Sequence, residues 1–190
     1  MNYINKSEKI NVSKEMIFDL INNVDEYQNF LPWCSSSTIL SDDDHTMSAE
    51  IEISKSLVNW KFTTKNIIQK YKIIKLQLID GPFKHLEGYW KFDEIDKYNT
   101  NVTLYLEYKF DNKLIEMSIK PVFSTIMSSI LDSFISEAFM YLYHPIFKYL
   151  KKIIDQKKNK ILYVKSQLTI PSLSKSNNRY ILNKGGGFYN

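Results

Sequence analysis

Residues 102–141, VTLYLEYKFDNKLIEMSIKPVFSTIMSSILDSFISEAFMY, contain the change of hydrophobic period on which the fold turns. Val102, Leu104, Leu106, Tyr108 and Phe110 alternate, as they do in a strand that buries one face. After Asn112 the apolar residues recur at helical spacing instead: Ile115, Ile119, Val122, Phe123, Ile126, Ile130, Phe134, Ala138 and Tyr141 form one stripe. A long helix therefore follows the last strand, and its stripe must lie on a sheet. Pro121 sits inside the pattern and brings no N–H, so the helix is expected to kink there or to begin properly at Pro121.

Upstream of that stretch, the pattern from Ser37 to Phe110 is one of β-branched and aromatic runs. They are broken by turn chemistry at Asp42-Asp43-Asp44, Asp80-Gly81-Pro82 and Tyr98-Asn99-Thr100. Met47, Ala49, Ile51 and Ile53 alternate, as do Trp60, Phe62 and Thr64, and Trp90 with Phe92. These read as consecutive antiparallel strands in a meander. Nearer the N-terminus, Tyr3 to Ile10 alternates like a strand. Ser13 is an N-cap candidate for a helix carrying Met16, Ile17, Leu20 and Ile21. A second short helix with Val24, Tyr27, Phe30 and Leu31 stops at Pro32. One strand, two helices, five or six strands and one long helix make an α+β plan in which an antiparallel sheet curls around the helix.

Such a sheet encloses Phe18, Phe30, Trp33, Trp60, Phe62, Phe83, Trp90, Phe110, Phe123 and Phe134. These aromatics either fill the core or line an apolar pocket, and periodicity does not separate the two. The chain of 190 residues is 44% hydrophobic and 14% aromatic with five glycines and five prolines, which sets it apart from disordered sequences. Its single cysteine, Cys34, cannot form an intramolecular disulfide, so a reducing compartment, the cytoplasm, is expected. The first residues lack the apolar segment of a secretory signal, and no unbroken apolar run is long enough to predict a transmembrane segment.

Five fragments, in order, resemble one family. Val24-Asp25-Glu26-Tyr27-Gln28-Asn29-Phe30-Leu31-Pro32-Trp33-Cys34 is similar to the V-x-x-Y-x-x-F-L-P-x-C signature of the RatA and coenzyme Q-binding family. Phe62-Thr63-Thr64-Lys65-Asn66, Asp80-Gly81-Pro82-Phe83-Lys84-His85-Leu86 and Gly88-Tyr89-Trp90-Lys91-Phe92 resemble its later strands. Phe110-Asp111-Asn112-Lys113-Leu114-Ile115-Glu116 resembles its entry into the last helix. The resemblance covers residues 3 to about 142 and implies a helix-grip, START-like fold, with 1–142 as the domain and 143–190 as an extension without a recognised counterpart. It implies a non-enzymatic binding protein with no required cofactor. Bacterial members bind the large ribosomal subunit and hinder subunit joining, as toxins of translation; mitochondrial relatives bind ubiquinone and support respiration. The resemblance also favours the pocket, and Phe30, Trp33, Trp60, Phe62, Phe83, Trp90, Phe123 and Phe134 are its expected lining, for ubiquinone or another hydrophobic lipid.

Catalysis has little support in the residues. Cys34 has no histidine near it in sequence, the three being His45, His85 and His144, and it reads as a buried cysteine rather than a nucleophile. No spacing of His and carboxylates matches a metal motif, and no Gly-rich loop precedes a helix. Asp80 reads as a turn residue, whereas Asp25 and Tyr27 either cap a helix or face the cavity mouth.

From Tyr143 onward the chain carries ten basic residues against one acid, Asp155, while residues 1–142 carry 15 basic and 20 acidic residues. An acidic body thus precedes a basic segment. In that segment Phe147, Leu150, Ile154 and Ile161 share a helical face opposite Lys148, Lys151, Lys152, Lys157 and Lys158. These lysines are candidates for contact with ribosomal RNA phosphates, or for peripheral contact with an anionic membrane; equally they suit the solvated face of a helix extension. Gly185-Gly186-Gly187 reads as a flexible end.

Overall fold

A computed structural model describes residues 1–55 and 58–167; beyond Leu142 it describes the side chains of Ile153 and Lys157 only. The element order is β1 (Asn2–Ile10), α1 (Lys14–Asn22), a 3₁₀ turn (Val24–Glu26), α2 (Tyr27–Phe30), β2 (Cys34–Asp42), β3 (Thr46–Lys55), β4 (Val58–Gln69), β5 (Ile73–Asp80), β6 (Phe83–Asp96), β7 (Asn99–Phe110) and α3 (Lys113–Gln167). The chain divides into two units, Met1–Pro145 and Ile146–Asn190.

The first unit is built on one antiparallel sheet of seven strands in the order β1-β7-β6-β5-β4-β3-β2. Strands β2 to β7 form the expected meander, and β1 closes the far edge against β7, from Asn2 opposite Tyr108 to Ile10 opposite Thr100. Register shifts interrupt the ladders within β2, at Thr63/Thr64 of β4 and near both ends of β6. Each such irregularity adds local twist and bend, which is how a sheet this wide curls.

Local chemistry sets the boundaries. The Ser13 hydroxyl caps α1 by accepting from the Met16 N–H at 3.3 Å. In the β2–β3 turn Asp43 accepts from the N–H groups of His45 (2.8 Å) and Thr46 (2.7 Å) and from the Thr46 hydroxyl (2.8 Å). Gly81 joins β5 to β6 at φ 141°, where a Cβ would lie 2.6 Å from Cβ of Phe62, so no other residue fits that turn without movement. Asn112 caps α3 through its side-chain oxygen, 3.0 Å from the Ile115 N–H.

The α3 stripe packs as the period requires: Ile119, Phe123, Ile126, Ile130, Phe134 and Ala138 are buried, joined by Met127 and Leu131. Two expectations are corrected. Of the two alternatives at Pro121, a helix start there is ruled out: α3 begins at Lys113 and runs through the proline. Pro121 is exposed, so the Met117 carbonyl that loses its N–H partner can turn to water, Met117 itself being 68% exposed. Tyr141, placed at the end of the stripe, is half exposed. Residues Lys113–Leu142 are long and apolar enough to cross a membrane by length and composition, but much of that apolarity is the face laid on the sheet.

Candidate functional site: an apolar cavity between sheet and helix

The concave face of the sheet and the buried stripe of α3 do not close completely. They leave a cavity of about 90 Å³. Alternation explains why its walls are apolar: the inward positions of β3 supply Ala49, Ile51 and Ile53, and β6 and β7 supply Leu86, Trp90, Leu104 and Leu106. Helix α3 contributes Phe123, Met127, Ile130 and Phe134 at helical spacing, and Val24, Tyr27 and Trp33 close one side.

Of the eight aromatics expected to line a pocket, Trp33, Phe62, Trp90, Phe123 and Phe134 do so. Phe30, Trp60 and Phe83 are not among the lining residues. Phe30 supports the wall from behind, edge-on to Tyr27 and Phe134 at 5.9 and 5.4 Å. Phe83 stacks on Phe110 at 5.1 Å, in a cluster with Phe62 and Phe123. Trp60 is buried, and its indole N–H has no partner among the described residues.

Two polar side chains on the inward face of β4, Thr64 and Asn66, reach the cavity, and both are buried. The Thr64 hydroxyl donates to Oδ1 of Asn66 at 2.9 Å, while among the described residues Nδ2 of Asn66 meets only the Met47 sulfur at 3.9 Å. The indole N–H of Trp33 is likewise buried without a partner among the described residues. Asn66 was missed by the sequence reading, although carrying the Trp60, Phe62, Thr64 alternation one step further places it inward.

Tyr27 lines the cavity with its hydroxyl tied to the backbone, whereas Asp25 is not among the lining residues and holds a turn in place. The Tyr27 hydroxyl donates to the Ile21 carbonyl, and burial pushes its ionisation far above the ordinary tyrosine range. The Asp25 carboxylate accepts from the Ile39 N–H at 2.6 Å, tying the 3₁₀ turn to β2. Cys34 is buried, its thiol donates to the Ser36 carbonyl at 3.3 Å, and burial raises its pKa, the opposite of what activates a nucleophile. Among the described residues, the cavity lining holds no carboxylate, imidazole or amine.

The five lysines proposed for polyanion contact fall on α3 within the second unit; Lys157 is exposed, and the side chains of Lys148, Lys151, Lys152 and Lys158 lie outside those described. Gly185-Gly186-Gly187 is outside the described residues.

Comparison with known proteins agrees with this architecture. The polyketide cyclase/dehydrase and lipid transport family matches residues 10–135. The ribosome association toxin RatA of Vibrio cholerae is 35% identical over 138 residues, which span 73% of this chain and 96% of that protein. The chain belongs to this START-like family, in its RatA group. More distant is the mitochondrial coenzyme Q-binding protein of Schizosaccharomyces pombe, 27% identical over 64% of this chain and 77% of its own length. The Zhui aromatase/cyclase of Streptomyces sp. R1128 superposes with a TM-score of 0.67 at 11% identity, over 74% of this chain and 95% of that one. That likeness establishes the helix-grip fold of the RatA-like domain.

Proposed function

We propose that this protein is a non-catalytic RatA-like factor that binds the large ribosomal subunit and hinders its association with the small one, acting in the cytoplasm. The observation that carries the reading is the match to RatA along nearly the whole length of that relative. The described lining residues include no acid–base pair, which supports a binding role over a cyclase-like one. The test is sedimentation of the full chain with separated ribosomal subunits at low and high salt. Selective comigration with the large subunit that survives high salt is the expected result. Equal comigration with both subunits, or loss of all binding as salt rises, would reduce the interaction to attraction between polyanion and lysines.

A second reading has its own observation. The uncharged, largely aromatic and aliphatic cavity suits an isoprenoid lipid such as ubiquinone, and a coenzyme Q-binding relative lies in the same family. At about 90 Å³ the cavity is smaller than the roughly 300 Å³ at the low end of ligand pockets, so uptake requires the wall to open. Met127, an unbranched side chain in that wall, is the residue best able to move aside. Organic extraction of the purified full chain should yield an isoprenoid lipid, and Ala49→Leu, which fills part of the space, should abolish it.

A further inference from the structure

We infer that the cavity selects a neutral ligand with a carbonyl oxygen on its head, and that Asn66 is the residue that reads it. The inference rests on the second reading above, that the cavity holds an apolar ligand, and adds which chemical class of head it accepts.

The argument starts from unspent donors. Asn66 is 5% exposed and sits in a wall otherwise made almost wholly of hydrocarbon and aromatic side chains. Its orientation is set by Thr64: the hydroxyl gives its one proton to Oδ1 of Asn66 at 2.9 Å. Turning the amide over would place the carbonyl oxygen, rather than the NH₂ group, against the Met47 sulfur, two lone-pair-bearing atoms facing each other. The NH₂ group therefore faces away from Thr64. Of its two N–H bonds, one has only a weak thioether contact at 3.9 Å and the other has no partner among the described residues. A second donor in the wall, the indole N–H of Trp33, is also buried and has no partner among the described residues.

A buried N–H without an acceptor is costly, and native proteins rarely keep one. An oxygen that already takes one hydrogen bond tolerates an idle lone pair far better. The imbalance in the wall therefore favours a ligand that brings acceptors. Among the described residues the lining has no lysine, arginine or histidine, so an ionised carboxylate or diphosphate would be buried there without a counter-charge. A ketone, quinone or ester carbonyl satisfies the donors at no such penalty. An isoprenoid hydrocarbon fills the space and leaves Asn66 unpaired.

The experiment titrates the full chain with a short-tailed ubiquinone, with the same isoprenoid tail as a hydrocarbon, and with that tail ending in a carboxylate, following each by isothermal titration calorimetry. The quinone is expected to bind about 10-fold more tightly than the hydrocarbon, the worth of one hydrogen bond to a buried donor, and the carboxylate most weakly. Asn66→Leu should bring quinone and hydrocarbon to equal affinity while hydrocarbon binding persists. Thr64→Val, close in shape, should lower the ratio in part by freeing the amide to turn. Equal affinities in the unaltered chain, a ratio unchanged by Asn66→Leu, or preference for the carboxylate would overturn the assignment to Asn66 and leave the ligand cavity standing. Failure of all three probes to bind would instead remove the cavity reading and this inference with it.

Discussion

Phe134 is where the helix, the sheet and the cavity meet, and truncating it to alanine is the most direct test of the architecture. The ring is fully buried and stands edge-on to Tyr27 at 5.2 Å, Phe30 at 5.4 Å and Trp90 at 5.5 Å, so it joins α3 to α2 and to β6. Removing a buried phenylalanine costs about 3–5 kcal/mol, because the transfer free energy and the aromatic contacts are lost while the walls relax only in part. The wall here already borders empty space, so little can collapse into the gap, and the upper half of that range is expected. For a unit of this size each kcal/mol lowers the melting temperature by about 3 °C, giving a fall of roughly 12–15 °C. Thermal and urea unfolding of the full chain, followed by circular dichroism, measure it. Ser124→Ala, an exposed change on the same helix, is the control. If Phe134→Ala melted within a few degrees of that control, Phe134 would not be a keystone between helix and sheet, and the gripped-helix account would be wrong.

Three further changes probe separate parts of the argument. Ser13→Ala should cost about 1 kcal/mol of stability by removing the cap of α1, and Ser13→Asp should restore it, both read from urea midpoints. Gly88→Ala should be severely destabilising, since the added Cβ would stand 2.2 Å from the Tyr105 carbonyl oxygen and force β6 and β7 apart; a normal melting curve would contradict the register. Tyr27→Phe should cost about 1–3 kcal/mol at neutral pH by leaving the Ile21 carbonyl unpaired. Because the folded-state pKa of Tyr27 lies above its unfolded value, its contribution is complete below about pH 10 and declines as pH rises beyond that. The variant should therefore lose less stability than the unaltered chain between pH 10 and 11.

The sequence pattern carried most of the fold because each element has one dry face, and a period of two or of 3.6 records which residues occupy it. The meander, the Ser13 cap, the stop before Pro32 and the stripe from Ile119 to Ala138 all follow from that. Periodicity did not reveal that β1 pairs with β7, since pairing across the chain leaves no local mark. Pro121 shows a second limit: its missing hydrogen bond counts only if the orphaned carbonyl is buried, which depends on how the helix is turned. The division of the aromatics between wall and packing was hidden for a similar reason. Phe83 and Phe123 are equally apolar and both buried, yet Phe123 lines the cavity while Phe83 stacks on Phe110, a division that only the folded packing decides.

Charge bears on how the two proposed roles can coexist. The first 142 residues carry 15 basic and 20 acidic groups, so the folded body repels a polyanion at long range rather than attracting it. A ribosomal contact made by that body must therefore rest on shape and short-range complementarity, and should weaken little as salt rises. If the ten basic residues after Leu142 meet the ribosome, they add the opposite behaviour, a salt-sensitive attraction that raises encounter rates without choosing between subunits. Replacing Lys148, Lys151, Lys152, Lys157 and Lys158 by glutamine in the full chain separates the two. Selectivity for the large subunit should persist while overall affinity and its salt dependence fall, and binding of a ligand in the cavity should be unchanged. Loss of selectivity along with affinity would assign recognition itself to the basic segment, and would leave the START-like body with the lipid as its main partner.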